Sequence, residues 1–128
     1  MISAQTDGIQ VSVEVFYYPE GSDPQNRQFL FAYQITIHNQ TPNTVQLLRR
    51  HWHIWDADGS KREVEGEGVV GEQPILEPDA SYQYMSACNL HTEFGHMNGS
   101  FLMLRKKDKH RFWVEIPDFN MAVPHLLN

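Results

Sequence analysis

Cysteine is nearly absent from this chain. Cys88 is the one thiol among 128 residues, so an intrachain disulfide framework is excluded and nothing points to an oxidising compartment. Positive charge is also scarce, with 10 Lys and Arg against 16 Asp and Glu and a net charge of −6. That balance disfavours non-specific attraction to nucleic acid or to an anionic membrane. No segment approaches the roughly 20 apolar residues of a membrane span. The opening MISAQTDGIQ has no basic stretch followed by an apolar run, so export or anchoring is not expected and the cytoplasm is the expected location. A sustained 3.6-residue apolar period with caps is missing too, and no amphipathic helix is demanded.

What is present is an ordinary globular composition, 41% hydrophobic and 20% charged, in a chain long enough to bury a two-layer core. One domain over residues 1–128 is expected. Alternation with period two recurs along it, the sign of strands with one face on a core. Ile9, Val11, Val13, Val15 and Tyr17 share one parity, and Phe29, Phe31, Tyr33, Ile35 and Ile37 repeat the pattern in what should be a central strand. The turn formers of Pro19 to Asn26 separate the two. Val45 to Trp55, Arg62 to Val70, Ser81 to Cys88, Ser100 to Leu104 and Arg111 to Ile116 are five further strands, and Phe119 to Val123 a candidate edge. Pro117 should stop the last full strand because it has no amide to donate. About seven antiparallel strands at this spacing predict an all-β sandwich of the immunoglobulin or fibronectin type III kind, with a small barrel as the alternative.

Several residues have the composition of binding sites. Arg49, His51, His53 and Trp55 alternate on one strand and should project from one face. Two imidazoles at i and i+2 suit cobalt, nickel or zinc better than magnesium, with Asp56 or Asp58 near, but no third ligand is defined. Otherwise the strip is a solvated, packing or partner-binding face. Arg50 lies on the inward parity of Leu48, Trp52 and Ile54, so it should be paired with a carboxylate inside or be re-aimed outward by a bulge; an ion pair is expected. His91, Thr92, Glu93 and His96 should share a loop. Met121, Val123, Leu126 and Leu127 are more apolar than a disordered tail requires and should pack over a sheet edge or a partner, a second copy included.

Gly66, Glu67, Gly68, Val69, Val70 and Gly71 spell GxGxxG. In a dinucleotide-binding fold that motif opens a helix, but Pro74 and Pro78 leave no room for one here. Successive glycine amides can still cradle an anion without a helix, although Glu67 and Glu72 repel one; otherwise the glycines permit a bend. Catalysis finds no assembled nucleophile, base and orienter: Cys88 and Ser86 have no evident base, and the acidic pairs Asp56 with Asp58 and Glu63 with Glu65 are common on exposed turns.

VQLLRRHWHIWDADG (Val45 to Gly59), VEGEGVVGEQPILEPD (Val64 to Asp79) and GHMNGSF (Gly95 to Phe101) resemble the signatures of the ApaG family, as do FAYQITIHN and FWVEIPDFNM, so the likeness runs over nearly the whole chain. His53 and Asp79 depart from the usual pattern. The resemblance implies a fibronectin-type-III-like sandwich and an association with cobalt and magnesium resistance. Related eukaryotic domains imply a non-catalytic protein-interaction module, the function expected first, with another protein or a second copy as partner. The resemblance also implies a second possibility, binding of pyrophosphate or a diadenosine polyphosphate at Gly66, Gly68 and Gly71 with Arg49, Arg50 and a divalent ion, magnesium or cobalt, assisting.

Overall fold

The strongest alternation in the sequence runs through the centre of a sheet. In the computed structural model, which describes the backbone of residues 1–127 and the side chains through His125, every second residue from Phe29 to Asn39 is buried. The side chains of Leu126 and Leu127, expected to pack, lie outside the described residues, as does Asn128. Nine strands form among the described residues: β1 (Ile2–Thr6), β2 (Ile9–Tyr17), β3 (Phe29–Asn39), β4 (Val45–Asp56), β5 (Lys61–Glu67), β6 (Ile75–Leu76), β7 (Ser81–Leu90), β8 (Phe94–Arg105) and β9 (His110–Ala122). Three short 3-10 turns are the only helical pieces described, and none is long or apolar enough to cross a membrane.

All pairings are antiparallel and make two sheets, β1-β2-β3-β7 and β5-β4-β8-β9, with the two-residue β6 beside β4. Their apolar faces meet in one core, where Phe31, Ile35, Leu47, Phe101, Met103 and Ile116 are almost fully buried. Trp52 stands at its centre, edge-on to Tyr33, Phe101 and Phe119 at ring distances of 5.4, 6.4 and 6.1 Å, geometry that the aromatic quadrupole favours. β1 and β2 contact β9 and close one side of the sandwich. On the other side the edge strands β5 and β7 leave a cleft.

Two register shifts change what simple alternation predicts, each for a physical reason. Register shifts between Met97 and Gly99 as β8 pairs with β9, so Pro117 falls in a bulge where its missing amide breaks no ladder bond, and β9 continues to Ala122. A second shift, between Leu47 and Arg49, switches the buried parity of β4 from Val45 and Leu47 to Trp52, Ile54 and Asp56. β1, not expected from the sequence, pairs with β2 through a two-residue turn in which Asp7 and Gly8 have φ of 49° and 80°.

The GxGxxG segment is a hairpin tip, with no helix after it. Val69 and Glu72 exchange both backbone hydrogen bonds, at 2.8 and 3.0 Å, around Val70 and Gly71. Those two residues have φ of 48° and 80°, the signature of a type I′ turn. Val70 is β-branched and 63% exposed, so it tolerates this left-handed backbone poorly and contributes little packing in return. Val70→Asn should therefore raise stability by about 1 kcal/mol, because Asn accepts αL readily. A urea melt that shows the midpoint unchanged or lowered would contradict that reading of the turn.

Candidate functional site

The parity switch in β4 sorts its basic residues onto two faces. Arg49, His51, His53 and Trp55 point outward together, as their spacing predicts, while Trp52 and Ile54 point into the core. Arg50 follows the inward set. Arg49 and Arg50, expected to neutralise one ligand, are thus separated by the sheet: Arg49 lies on the outer surface near Glu67 and Arg111, and Arg50 lines the cleft between the sheets.

On the outer face the rings form a continuous row. His51 and His53 are 4.5 Å apart, His53 and Trp55 stack at 6.0 Å, and Trp55 lies parallel to His96 at 4.6 Å. Lys61 Nζ sits 5.2 Å from the Trp55 ring centroid, within cation–π range. The neighbouring strand β5 supplies what the sequence left undefined. His51 faces Glu65 and His53 faces Glu63 in the ladder, and the turn at Asp56 to Ser60 sets that register. His51 Nε2 is 3.3 Å from Glu63 Oε2, and His51 Nδ1 is 3.2 Å from Glu65 Oε1.

His53 Nδ1 is 3.5 Å from Glu63 Oε1 but too poorly aligned for a hydrogen bond, and it is buried without another partner. One ligand atom each from His51, His53 and Glu63 lie within 4.8 Å of one another. A hydrogen bond from His51, helped by Lys61, holds the Glu63 carboxyl below its usual range. Asp56 and Asp58 do not join this cluster.

Asp56 is instead a buried structural carboxylate. Its Oδ1 accepts the amides of His91 and Thr92, at 2.7 and 3.1 Å, and the Thr92 hydroxyl at 3.1 Å, which ties the β7–β8 hairpin to the end of β4. The histidines and acids expected to share a loop are dispersed by other partners: His96 lies in β8 and pairs with Asp118 at 3.0 Å, and Glu93 pairs with His125 at 2.8 Å. Asp79, at φ of 68°, accepts the turn geometry expected of it and bonds to His38 at 2.9 Å.

The expected ion pair at Arg50 is absent among the described residues. Its Nη1 donates instead to the carbonyls of Glu67 and Gly68, at 2.9 and 3.0 Å. The glycines of the motif make this seat. A Cβ on Gly66 would stand 2.9 to 3.1 Å from the guanidinium, and one on Gly68, itself at φ of 65°, would strike Glu72 O at 2.3 Å. The loop thus turns carbonyls toward a cation. Gly66 stands in the ladder opposite Arg50, and the amide of Gly68 is bonded to Leu48 O. Val70 and Gly71 have amides without backbone partners, but both residues have the same hand and do not form the alternating αR–αL concavity that cradles anions.

Cys88 is buried, and burial pushes its thiol up in pKa, with Arg62 only partly offsetting the rise. Among the described residues no serine or cysteine side chain is hydrogen-bonded to a histidine.

The comparisons with known proteins agree with the sequence signatures. The family model of the ApaG domain matches residues 19–105. Protein ApaG of Brucella suis is 48% identical over 124 residues, covering 97% of this chain and 95% of that protein. Protein ApaG of Vibrio cholerae is 47% identical over 120 residues, 94% of each. The crystal structure of the Bordetella pertussis protein given the name ApaA superposes with a TM-score of 0.87 at 40% identity, covering 91% of this chain and 94% of that one. An archaeal protein from Archaeoglobus fulgidus shares the fold alone, at 9% identity and a TM-score of 0.53. With the family model spanning most of the chain and relatives this similar along nearly all of it, the chain belongs to the ApaG family.

Proposed function

We propose that this chain is a binding module without catalytic machinery, and that the outer face of β4 binds a divalent transition metal through His51, His53 and Glu63. The observation that carries this reading is the cluster itself. One ligand atom from each of the three lies within 4.8 Å of the others, and His53 Nδ1, 3.5 Å from Glu63 Oε1, is a buried nitrogen with no hydrogen-bond partner. A cation there would give that nitrogen the partner it lacks. Two imidazoles and one carboxylate suit cobalt, nickel or zinc; magnesium prefers an all-oxygen shell and does not fit these residues. Glu65, against His51 Nδ1, would orient that ring.

The row that continues through Trp55 and His96 supports a second reading, a protein partner on the same face. A planar, half-buried stack beside Lys61 offers rigid area at low entropic cost. Pyrophosphate at the glycine loop draws less support, because the amide of Gly68 is already bonded and Arg49 stands on the far side of the sheet from Arg50.

Cobalt titration followed by amide NMR tests the proposal. One equivalent should broaden signals around His51, His53 and Glu63, and magnesium should not. Truncating His53 or Glu63 to alanine should weaken cobalt affinity by about tenfold or more, the scale seen when even outer-shell support of a metal is lost. Lys61→Ala should strengthen it, because Lys61 Nζ sits 3.3 Å from Glu63 Oε1 and competes for that carboxylate. Broadening centred elsewhere, or His53→Ala binding cobalt as the parent does, would sink the metal reading.

A further inference from the structure

The open side of the sandwich holds a second chemistry, unrelated to the row of rings. Between β5 and β7 is a cavity of about 370 Å³, within the size range of small-molecule sites. Its walls are largely apolar, with Trp52, Ile54, Val64 and Met97 among them. Two cationic residues stand toward its two ends. Arg50 is level with Gly66 and Arg62 with Ile54, so they are four residues apart along β4, about 13 Å at ~3.3 Å per residue. Arg62 is engaged with the Cys88 sulfur and the Asn89 carbonyl, and Asp56 lies beside it. Neither arginine has a carboxylate within ion-pair distance among the described residues: the carbonyls that seat Arg50 carry no charge, and Arg62 is held at the far end by a carbonyl and a sulfur.

Beside Arg50 a buried hydroxyl goes unused. Tyr84 lines the cavity, is 9% exposed, and its phenolic oxygen has no hydrogen-bond partner. A buried polar group left unpaired is costly and calls for a ligand or a water. Burial pushes the phenols of Tyr84 and Tyr33 up in pKa, so both are neutral donors at physiological pH, and both lie close enough to feel the Arg50 charge. At the Arg50 end an uncompensated cation, an unpartnered donor and apolar walls leading away from them converge on one kind of molecule.

We infer that this cleft binds a monocarboxylate with an apolar body, its carboxylate on Arg50 and the Tyr84 hydroxyl and its body lying toward Met97 and Ile54. The charge at the Arg50 end selects the head group. A carboxylate neutralises the Arg50 guanidinium, whereas a phosphate dianion or pyrophosphate seated there would keep a charge that Arg62, about 13 Å away at the other end, does not reach. The glycine motif then has a role that does not involve its amides: it builds the carbonyl seat that holds Arg50 in place without neutralising it. The outer-face metal cluster uses different residues, so either site can fail without the other.

Octanoate, 1-octanol and octyl phosphate, each titrated into the full chain and followed by Trp fluorescence and amide NMR, test the inference. Octanoate should bind saturably, with shifts centred on Tyr84, Ser86 and Gly66, and octanol at least tenfold more weakly. Tyr84→Phe, which removes only an unsatisfied oxygen and so should fold, should weaken octanoate about fivefold. Arg50→Met should bring its affinity down to that of octanol. No saturable octanoate binding at millimolar concentration, an unchanged affinity in folded Tyr84→Phe, or octyl phosphate binding more tightly than octanoate would overturn it.

Discussion

Replacing Asn39 with leucine is expected to remove about 3–5 kcal/mol of stability, a large share of what a domain of this size possesses. Asn39 ends the buried face of β3 and is fully buried, the one amide side chain buried among the described residues. Its Nδ2 donates to the carbonyls of Asn43, Leu76 and Glu77, at 2.8, 3.0 and 3.2 Å. Its Oδ1 accepts the Thr41 amide at 3.0 Å and hydroxyl at 2.7 Å. One side chain thereby joins β3 to the loop before β4 and to β6, and holds three segments that have no ladder between them. Leucine fills the volume but takes all five hydrogen bonds away and leaves the Thr41 amide without its acceptor, while the Asn43 and Glu77 carbonyls keep only the Thr41 hydroxyl and the Ala80 amide. A urea unfolding series should show the midpoint fall with the slope little changed.

Asn39→Asp separates the contributions. The carboxylate keeps the acceptor role toward Thr41 but faces three carbonyls where it needs a donor, so its folded pKa is expected to rise above the ordinary value of about 3.9. A raised folded pKa means that the native state holds the proton more tightly than the unfolded chain. The deficit relative to the parent should then be smallest below about pH 4 and should grow as pH rises through the folded pKa. A deficit independent of pH would show that shape, rather than the donated hydrogen bonds, accounts for the residue.

What the sequence revealed and what it hid divide along the difference between parity and register. Period-two alternation assigns faces, and it did so correctly for β3 and for the His51, His53 and Trp55 strip. Face assignment does not say which residue of the next strand lies opposite. Glu63 became a candidate ligand only when the Asp56–Ser60 turn placed it across from His53. Composition alone made it one of 16 acids. Arg50 was placed inside by parity, yet its partners are carbonyls of a turn, groups that every residue carries and no sequence pattern marks. β1 had a readable signal in Asp7–Gly8, the dipeptide that type I′ hairpins prefer, but ISAQT has too little alternation to announce a strand on its own. Pro117 stops a regular ladder, and only the bulge opposite Met97 and Gly99 shows that the ladder there is irregular.

That bulge makes Gly99 the position where one methyl group should do most damage. Gly99 lies opposite Trp52 in the β4–β8 register, and a Cβ added to it would stand 2.1 Å from His51 O and 3.2 Å from the Trp52 Cα. Both are backbone atoms of a strand held on both flanks, so neither can rotate away. Relief requires β8 to move off β4, which would disturb the Trp52 packing and the backbone that carries His51. Gly99→Ala is therefore expected to cost about 3 kcal/mol or more, at the upper end for overpacking, and to leave much of the protein insoluble. Gly71→Ala is the control, since a Cβ there meets nothing within 4 Å and only its φ of 80° opposes alanine, a cost of about 1 kcal/mol. The same displacement should reach the outer face. Whatever fraction of Gly99→Ala folds should bind cobalt more weakly than the parent, because the methyl presses on the peptide between His51 and Trp52. Gly71→Ala, at the tip of a hairpin outside the metal cluster, should bind it unchanged. Equal stability losses in the two variants would mean that the β4–β8 contact yields more easily than the backbone distances imply. Equal cobalt affinities in a well-folded Gly99→Ala would instead uncouple the ladder from the metal ligands.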